Sequence, residues 1–219
     1  MFTFKRRIVF LRHGRTDWND SLRYQGKSDI PLNQEGEEEA GKAAIRLSSY
    51  LPDVVYTSPL QRALQTTRII SEYFTENPTL RIRQELSEIG FGDWEGRSIR
   101  ELESESSDVY LRWRADPTSV IPPGGESFEE IQARVQLFIS EISAEDSSNI
   151  LVVSHGGIIR TALIALIGMD PSMLWSLRLN NCAISIVDSW SHVNTLVLWN
   201  DHNHIFLREE EIPFLSLPL

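Results

Sequence analysis

Arg7-Ile8-Val9-Phe10-Leu11-Arg12-His13-Gly14-Arg15-Thr16 decides how the rest of the chain is read. Ile8 to Leu11 are four consecutive apolar residues without polar alternation, the pattern of a strand buried on both faces of a parallel sheet rather than of a half-solvated edge. Such a strand runs through the middle of its sheet. At its C-terminal end the chain presents a guanidinium, an imidazole and a glycine in succession, where open α/β sheets bind ligands in the crevice outside the strand ends. The same pattern recurs far downstream in Asn149-Ile150-Leu151-Val152-Val153-Ser154-His155-Gly156-Gly157. If the two strands are neighbours in one parallel sheet, His13 and His155 enter the same crevice. Either histidine alone is ordinary turn or surface chemistry. The pair, each followed by a glycine that permits close backbone approach, is not.

At 219 residues the chain can bury a substantial core, and its composition is that of a soluble globular protein. The 31 acidic residues outnumber the 21 basic ones, for a formal charge of −10. That balance argues against a nucleic-acid or anionic-membrane partner, so any anion site must be a local basic pocket. Cys182, the single cysteine, cannot make an intrachain disulfide or a cysteine metal site. In Asn181-Cys182-Ala183-Ile184 it reads as a buried small hydrophobe at the start of a strand. Lys5, Arg6 and Arg7 precede too short an apolar run for a secretory signal, and no stretch approaches membrane-spanning length. The expectation is a cytoplasmic protein.

The polar stretches Asp17 to Ser21 and Tyr24-Gln25-Gly26-Lys27 read as an active loop. Asn33 caps a helix from Gln34 to about Ser49, with Ala40, Ala43, Ala44 and Leu47 on its buried stripe. Val54 to Thr57 is a short strand. Ser58 then reads as a helix cap, with Pro59 first and Gln61 third in the helix, which puts Arg62 at its fourth position within reach of the crevice. Arg81-Ile82-Arg83 is edge-like. The glycines of Leu86 to Gly96 are one residue off the dinucleotide fingerprint and follow no long apolar strand, and neither a phosphate-loop nor a serine-elbow motif is present. Short helices over 98–115 and a Pro/Gly-rich loop over 117–125 form an expected cap insertion at about 90–125 within one domain spanning 1–219. Glu126 to Ser143 and Gly157 to Ile167 are helices. Late strands at 183–187 and 193–199 leave room for edge pairing with a second copy of the chain. His202-Asn203-His204 reads as a surface tail rather than a metal pair.

The crevice thus holds Arg12, His13, Arg62 and His155, with Asn19 on the following loop. Two forked guanidiniums with imidazole and amide donors suit a compact tetrahedral anion such as phosphate, and backbone N–H groups at a helix start, here Gly156, share that preference. Phosphate monoesters need charge neutralisation, a nucleophile and a proton for the leaving alcohol. A neutral His13 held at its other nitrogen can be the nucleophile, and a carboxyl group the general acid and base. Glu88 is the candidate for that carboxyl group; spacing also permits Glu85 or Glu95.

These segments resemble the histidine phosphatase superfamily, the phosphoglycerate mutase-like proteins. The resemblance is carried by Leu11-Arg12-His13-Gly14-Arg15-Thr16, Trp18-Asn19, Ser58 to Thr66, Leu86 to Gly96, Pro123-Gly124-Gly125-Glu126-Ser127 and Val153-Ser154-His155-Gly156-Gly157, in the family's order. It implies an α/β three-layer sandwich, a mostly parallel central sheet with helices on both faces. It also implies a phosphohistidine at His13, phosphate binding by Arg12, Arg62 and His155 with Asn19 in support, Glu88 as proton donor and acceptor, and no metal or other cofactor. Gln25 and Gly26 fall where the family lines its substrate entrance. One departure is Glu39-Ala40, where many members carry Gln-Ala, at a position expected to lie away from the crevice.

The leading expectation is a phosphomonoesterase of the phosphatase branch whose partner is a small-molecule phosphate ester. A cofactor-dependent phosphoglycerate mutase would use the same phosphohistidine, but the chain lacks the longer basic segment that mutases carry after the catalytic glutamate. A silent phosphate-binding protein is disfavoured by the intact set of His13, Arg12, Arg62, Glu88 and His155. Trp18, Tyr24, Trp94 and Trp113 either wall an entrance or simply pack.

Overall fold

The computed structural model describes residues 3–105, 107–213 and 215. In chain order the strands are β1 (Phe4–Arg12), β2 (Val54–Thr57), β3 (Thr79–Ile82), β4 (Asn149–Ser154), β5 (Ile184–Trp190) and β6 (Asn194–Asp201). The α-helices are α1 (Asp17–Asp20), α2 (Gln34–Leu47), α3 (Gln61–Ser71), α4 (Ile99–Glu105), α5 (Asp108–Ala115), α6 (Phe128–Ala144) and α7 (Gly156–Ile167).

The sheet order is β3-β2-β4-β1-β5-β6. β1 pairs in parallel with β4, in the register Arg7↔Asn149 through Arg12↔Ser154. The parallel set continues through β2 to β3 at one edge, whereas β5 and β6 add as an antiparallel pair at the other. The unbroken apolar runs have the cause proposed above: Ile8 to Leu11 and Ile150 to Val153 are each 0–2 % exposed. Alternate residues face opposite layers. Ile8, Phe10, Ile150 and Val152 pack with α6 and α7, while Val9, Leu11, Leu151 and Val153 pack against α2 and α3. The result is three layers with the β1 and β4 ends in the middle of the sheet.

Two local features hold this centre. Arg7 donates to both carboxylate oxygens of Asp188 across the β1–β5 pair, at 2.7 and 2.8 Å, with both residues buried. Ser127 and Glu130 form a reciprocal capping box at the start of α6, two residues later than the sequence places it. Glu126 stays outside the helix because its carboxylate accepts from the Gly90 N–H and from Arg134.

Two expectations are corrected. His204 is not on a surface tail: it lies in a 3-10 turn, Asn203–Phe206, at 1 % exposure. The turn packs under α2, and Lys42 of that helix donates to the Ile205 carbonyl. Ser58 does not cap α3, which begins at Gln61, with Arg62 second rather than fourth. The Ser58 hydroxyl is engaged elsewhere, and the Gln61 N–H is taken instead by the carboxylate of Asp29, 32 residues away, at 2.7 Å.

Candidate active site

Because β1 and β4 run side by side in the same direction, the residues after them emerge together. The His13 N–H donates to the Ser154 carbonyl at 3.0 Å, and the His13 and His155 rings lie 5.0 Å apart, tilted by 57°. His13 Nδ1 is 2.7 Å from the Gly14 carbonyl. A carbonyl only accepts, so the proton sits on Nδ1 and the lone pair on Nε2 is free. His155 takes the opposite tautomer. Arg62 Nε donates to its Nδ1 at 3.2 Å, so Nε2 carries the proton and donates to Ser58 Oγ at 2.7 Å. Burial, then the charges of Arg62 and Arg12, hold His13 well below the usual imidazole range; burial and Arg62 do the same to His155. Both rings are neutral at pH 7.

Arg62 is wholly buried and fixed at every nitrogen. Besides His155 it donates through Nη1 to the Ser28 carbonyl and through Nη2 to the Gly26 carbonyl, each at 2.8 Å. Its guanidinium is pushed down to about 10 by burial and remains charged. The shifted start of α3 is thus part of the site: Asp29 anchors the helix end, and Ser28 and Gly26 from the same loop anchor the arginine.

These groups line a cleft of about 160 Å³ whose walls include Arg12, His13, Arg62, Glu88, Gly156 and Gly157. Asn19, Gln25 and Gly26, expected at the entrance, also line it. His155 does not; it stands behind the wall, in contact with Arg62 and His13. Arg12 donates through Nη1 to the Leu179 carbonyl at 2.6 Å, and its buried Nε has no partner among the described residues. The Glu88 carboxylate accepts from the Gly157 N–H at 3.2 Å and the Ile89 N–H at 2.9 Å. Arg134 fixes the segment by donating to the carbonyls of Glu85, Ser87 and Glu88. The two other carboxylates permitted by spacing are placed differently. Glu85 does not line the cleft. Glu95 accepts from the N–H groups of Lys27, Ser28 and Phe91, tying the two loops beside the cleft together.

The loop after β1 is braced from below. The Gly14 N–H donates to Thr66 Oγ1 at 3.0 Å, and a Cβ at Gly14 would lie 2.4 Å from the Gly36 carbonyl oxygen. Asn181 donates to the carbonyls of His13 and Gly14 at 3.1 and 3.3 Å. Glu39 does not line the cleft but supports the loop after β1. It is 4 % exposed, accepts from the Arg15 N–H at 3.0 Å and pairs with the Arg15 side chain. Asn19 accepts from Thr16 within a capping box that starts α1.

A second cavity of about 370 Å³ adjoins the cleft and shares Asn19, Arg23, Tyr24 and Trp175 with it. Trp18, Leu22, Ile99 and Trp113 supply its apolar wall. Of the four entrance aromatics named from sequence, Trp94 is core packing at 4 % exposure. Sequence reading missed Ser58 as a partner of His155, Asp29, Asn181 and Arg160, which also lines the cleft. Arg160 had a signal: it lies four residues after Gly156, one helical turn along the same face. The other three depend on pairings across the fold. Among the described residues no group of three or more His, Cys, Asp or Glu is placed to hold a metal ion, and no helix is long and apolar enough to cross a membrane.

A family model described as the histidine phosphatase superfamily (branch 1) matches residues 8–202. The chain is 34% identical over 196 residues to the adenosylcobalamin/alpha-ribazole phosphatase of Salmonella typhimurium, covering 89% of this chain and 96% of that one. It is 35% identical over 168 residues to a 2,3-bisphosphoglycerate-dependent phosphoglycerate mutase of Cytophaga hutchinsonii, covering 75% and 78%. The crystal structure of the alpha-ribazole phosphatase from Shigella flexneri superposes with a TM-score of 0.81 at 34% identity, covering 90% of this chain and 96% of that chain.

Proposed function

The chain belongs to the histidine phosphatase superfamily, branch 1, and from that premise we propose that it is a metal-independent phosphomonoesterase that acts on a small-molecule phosphate ester through a phosphohistidine at His13. The observation that carries the reading is the hydrogen bond from His13 Nδ1 to the Gly14 carbonyl, which leaves the Nε2 lone pair free on a ring that lines the cleft with Arg12, Arg62 and Glu88.

The phosphoryl group binds between Arg12 and Arg62, whose charges offset the charge that develops on its oxygens. His13 Nε2 attacks phosphorus as the bond to the leaving oxygen breaks, and the Glu88 carboxylic acid passes its proton to that oxygen. The alcohol departs and Glu88 is left as a carboxylate. Water then gives a proton to Glu88 and attacks phosphorus; the P–N bond breaks, its electrons return to Nε2, and inorganic phosphate is released. His155 keeps Arg62 aimed and, being neutral, adds no competing charge. The leaving group occupies the adjoining cavity.

The test is to trap the enzyme during turnover of a phosphate ester. Acid-labile, alkali-stable phosphate on His13, absent in His13→Ala, supports the mechanism; full turnover in that variant overturns it. The second reading, a mutase, is favoured by the Cytophaga relative. It predicts interconversion of 2- and 3-phosphoglycerate with negligible phosphate release, whereas the proposed function predicts release.

A further inference from the structure

Arg160 is a third guanidinium in a cleft whose phosphoryl site needs two. Its Nε donates to the Leu177 carbonyl and its guanidinium lies 5.6 Å from the Trp175 ring centroid, so the side chain is held in place. Nothing among the described residues accepts from Nη1 or Nη2, and no carboxylate pairs with the group. A Cβ at Gly156 would lie 3.0 Å from Arg160 Nη1 and 3.6 Å from Arg12 Cζ, so two cations face one another across that glycine. Burial pushes Arg160 down to about 10, with Arg12 acting in the same direction, yet it stays charged. Glu88, which lines the same cleft, offsets part of that repulsion but makes no ion pair with either guanidinium among the described residues, so an anion that joins the two is favoured.

The phosphoryl group itself is the less suitable anion. Arg12, Arg62 and the start of α7 already surround its position; Arg160 rises from one turn further along that helix, and its guanidinium reaches back beside Arg12 as a third cation. There it borders Trp175, which is shared with the adjoining cavity. With Nε engaged, the Nη1–Nη2 edge is left as a planar fork, the shape that matches a carboxylate. On the phosphatase reading of this site, we propose that Arg160 is a specificity-determining residue that receives a carboxylate on the leaving group. The favoured substrates are then phosphate monoesters of small hydroxy acids.

The test compares two pairs of esters that differ in a carboxylate, O-phosphoserine against O-phosphoethanolamine and 3-phosphoglycerate against glycerol 3-phosphate. The wild type should favour the carboxylated member in kcat/KM by about tenfold or more, the scale of a charge-assisted hydrogen bond. Arg160→Gln should bring the ratio close to one, mainly through KM, and Arg160→Lys should keep part of it. No preference in the wild type, or equal losses on both members in Arg160→Gln, would overturn the assignment. If none of the four esters turns over, the same ratios taken from dissociation constants decide the role of Arg160, and the phosphatase reading stands or falls on the phosphate trapped at His13.

Discussion

Arg62 Nε donates to His155 Nδ1 across 3.2 Å, and this one bond sets how the second histidine takes part. An arginine N–H is always a donor, so His155 must carry its proton on Nε2 and donate that N–H to Ser58 Oγ. The two histidines therefore hold opposite tautomers in one buried cluster, and neither has room to exchange them without losing a partner.

Ser58→Ala removes the acceptor of that proton and leaves a buried N–H unpaired. The expected cost is about 1–3 kcal/mol of stability. As the ring and Arg62 loosen, kcat should fall roughly tenfold or more. Urea unfolding and steady-state kinetics measure the two effects; unchanged turnover would show that the ring does not depend on Ser58.

The histidine tautomers and their titration are directly visible by NMR. His13 should show an Nδ1–H and His155 an Nε2–H, and neither should titrate near 6.5, because burial and Arg62 disfavour the imidazolium. Both signals should persist unchanged as the pH falls through 6. A protonation step near the ordinary value for either ring would refute this electrostatic account of the site.

His204 makes a separate prediction about stability. Burial pushes it down to about 4, from an ordinary value of 6.5 in the unfolded chain. Between those values the unfolded state binds a proton that the folded state refuses, so stability is full above 6.5 and is lost as the pH falls. At pH 5 the loss from this residue is about 2 kcal/mol. His204→Phe should flatten that part of the stability–pH curve, whatever its level at neutral pH. An equally steep curve in the variant would assign the loss to other groups.

Gly14→Ala would drive a methyl group into the carbonyl of Gly36, and backbone cannot rotate aside as a side chain can. An overpacked contact of this kind costs about 1–3 kcal/mol. It should also displace the acceptor that fixes His13, so turnover should fall together with melting temperature. A variant with wild-type kinetics would mean that the loop after β1 is softer than its contacts imply.

The centre of the fold was legible in the sequence because a doubly buried strand leaves no polar alternation: Ile8 to Leu11 and Ile150 to Val153 could be placed by composition alone. Arg12, His13 and Glu88 lie on or beside such strands or glycine-marked turns and were found. Ser58 was misread because a Ser-Pro pair before a helix has a local explanation that tertiary contacts override; its hydroxyl turned to His155, and Asp29 took over the helix end. The contact of Glu39 with the Arg15 backbone was missed for the opposite reason. Acidic residues near a helix start satisfy the helix dipole wherever the helix sits, so nothing local revealed that this one supports the Arg15 backbone.

The carboxylate of Glu95 holds the N–H groups of Lys27 and Ser28 on one side and of Phe91 on the other. It thereby rivets two lips of the entrance into a single plate, and the Ser28 carbonyl on that plate also grips Arg62. The mouth of the cleft cannot widen on one side only: admitting a bulkier guest means shifting the whole plate, and the Arg62 guanidinium with it.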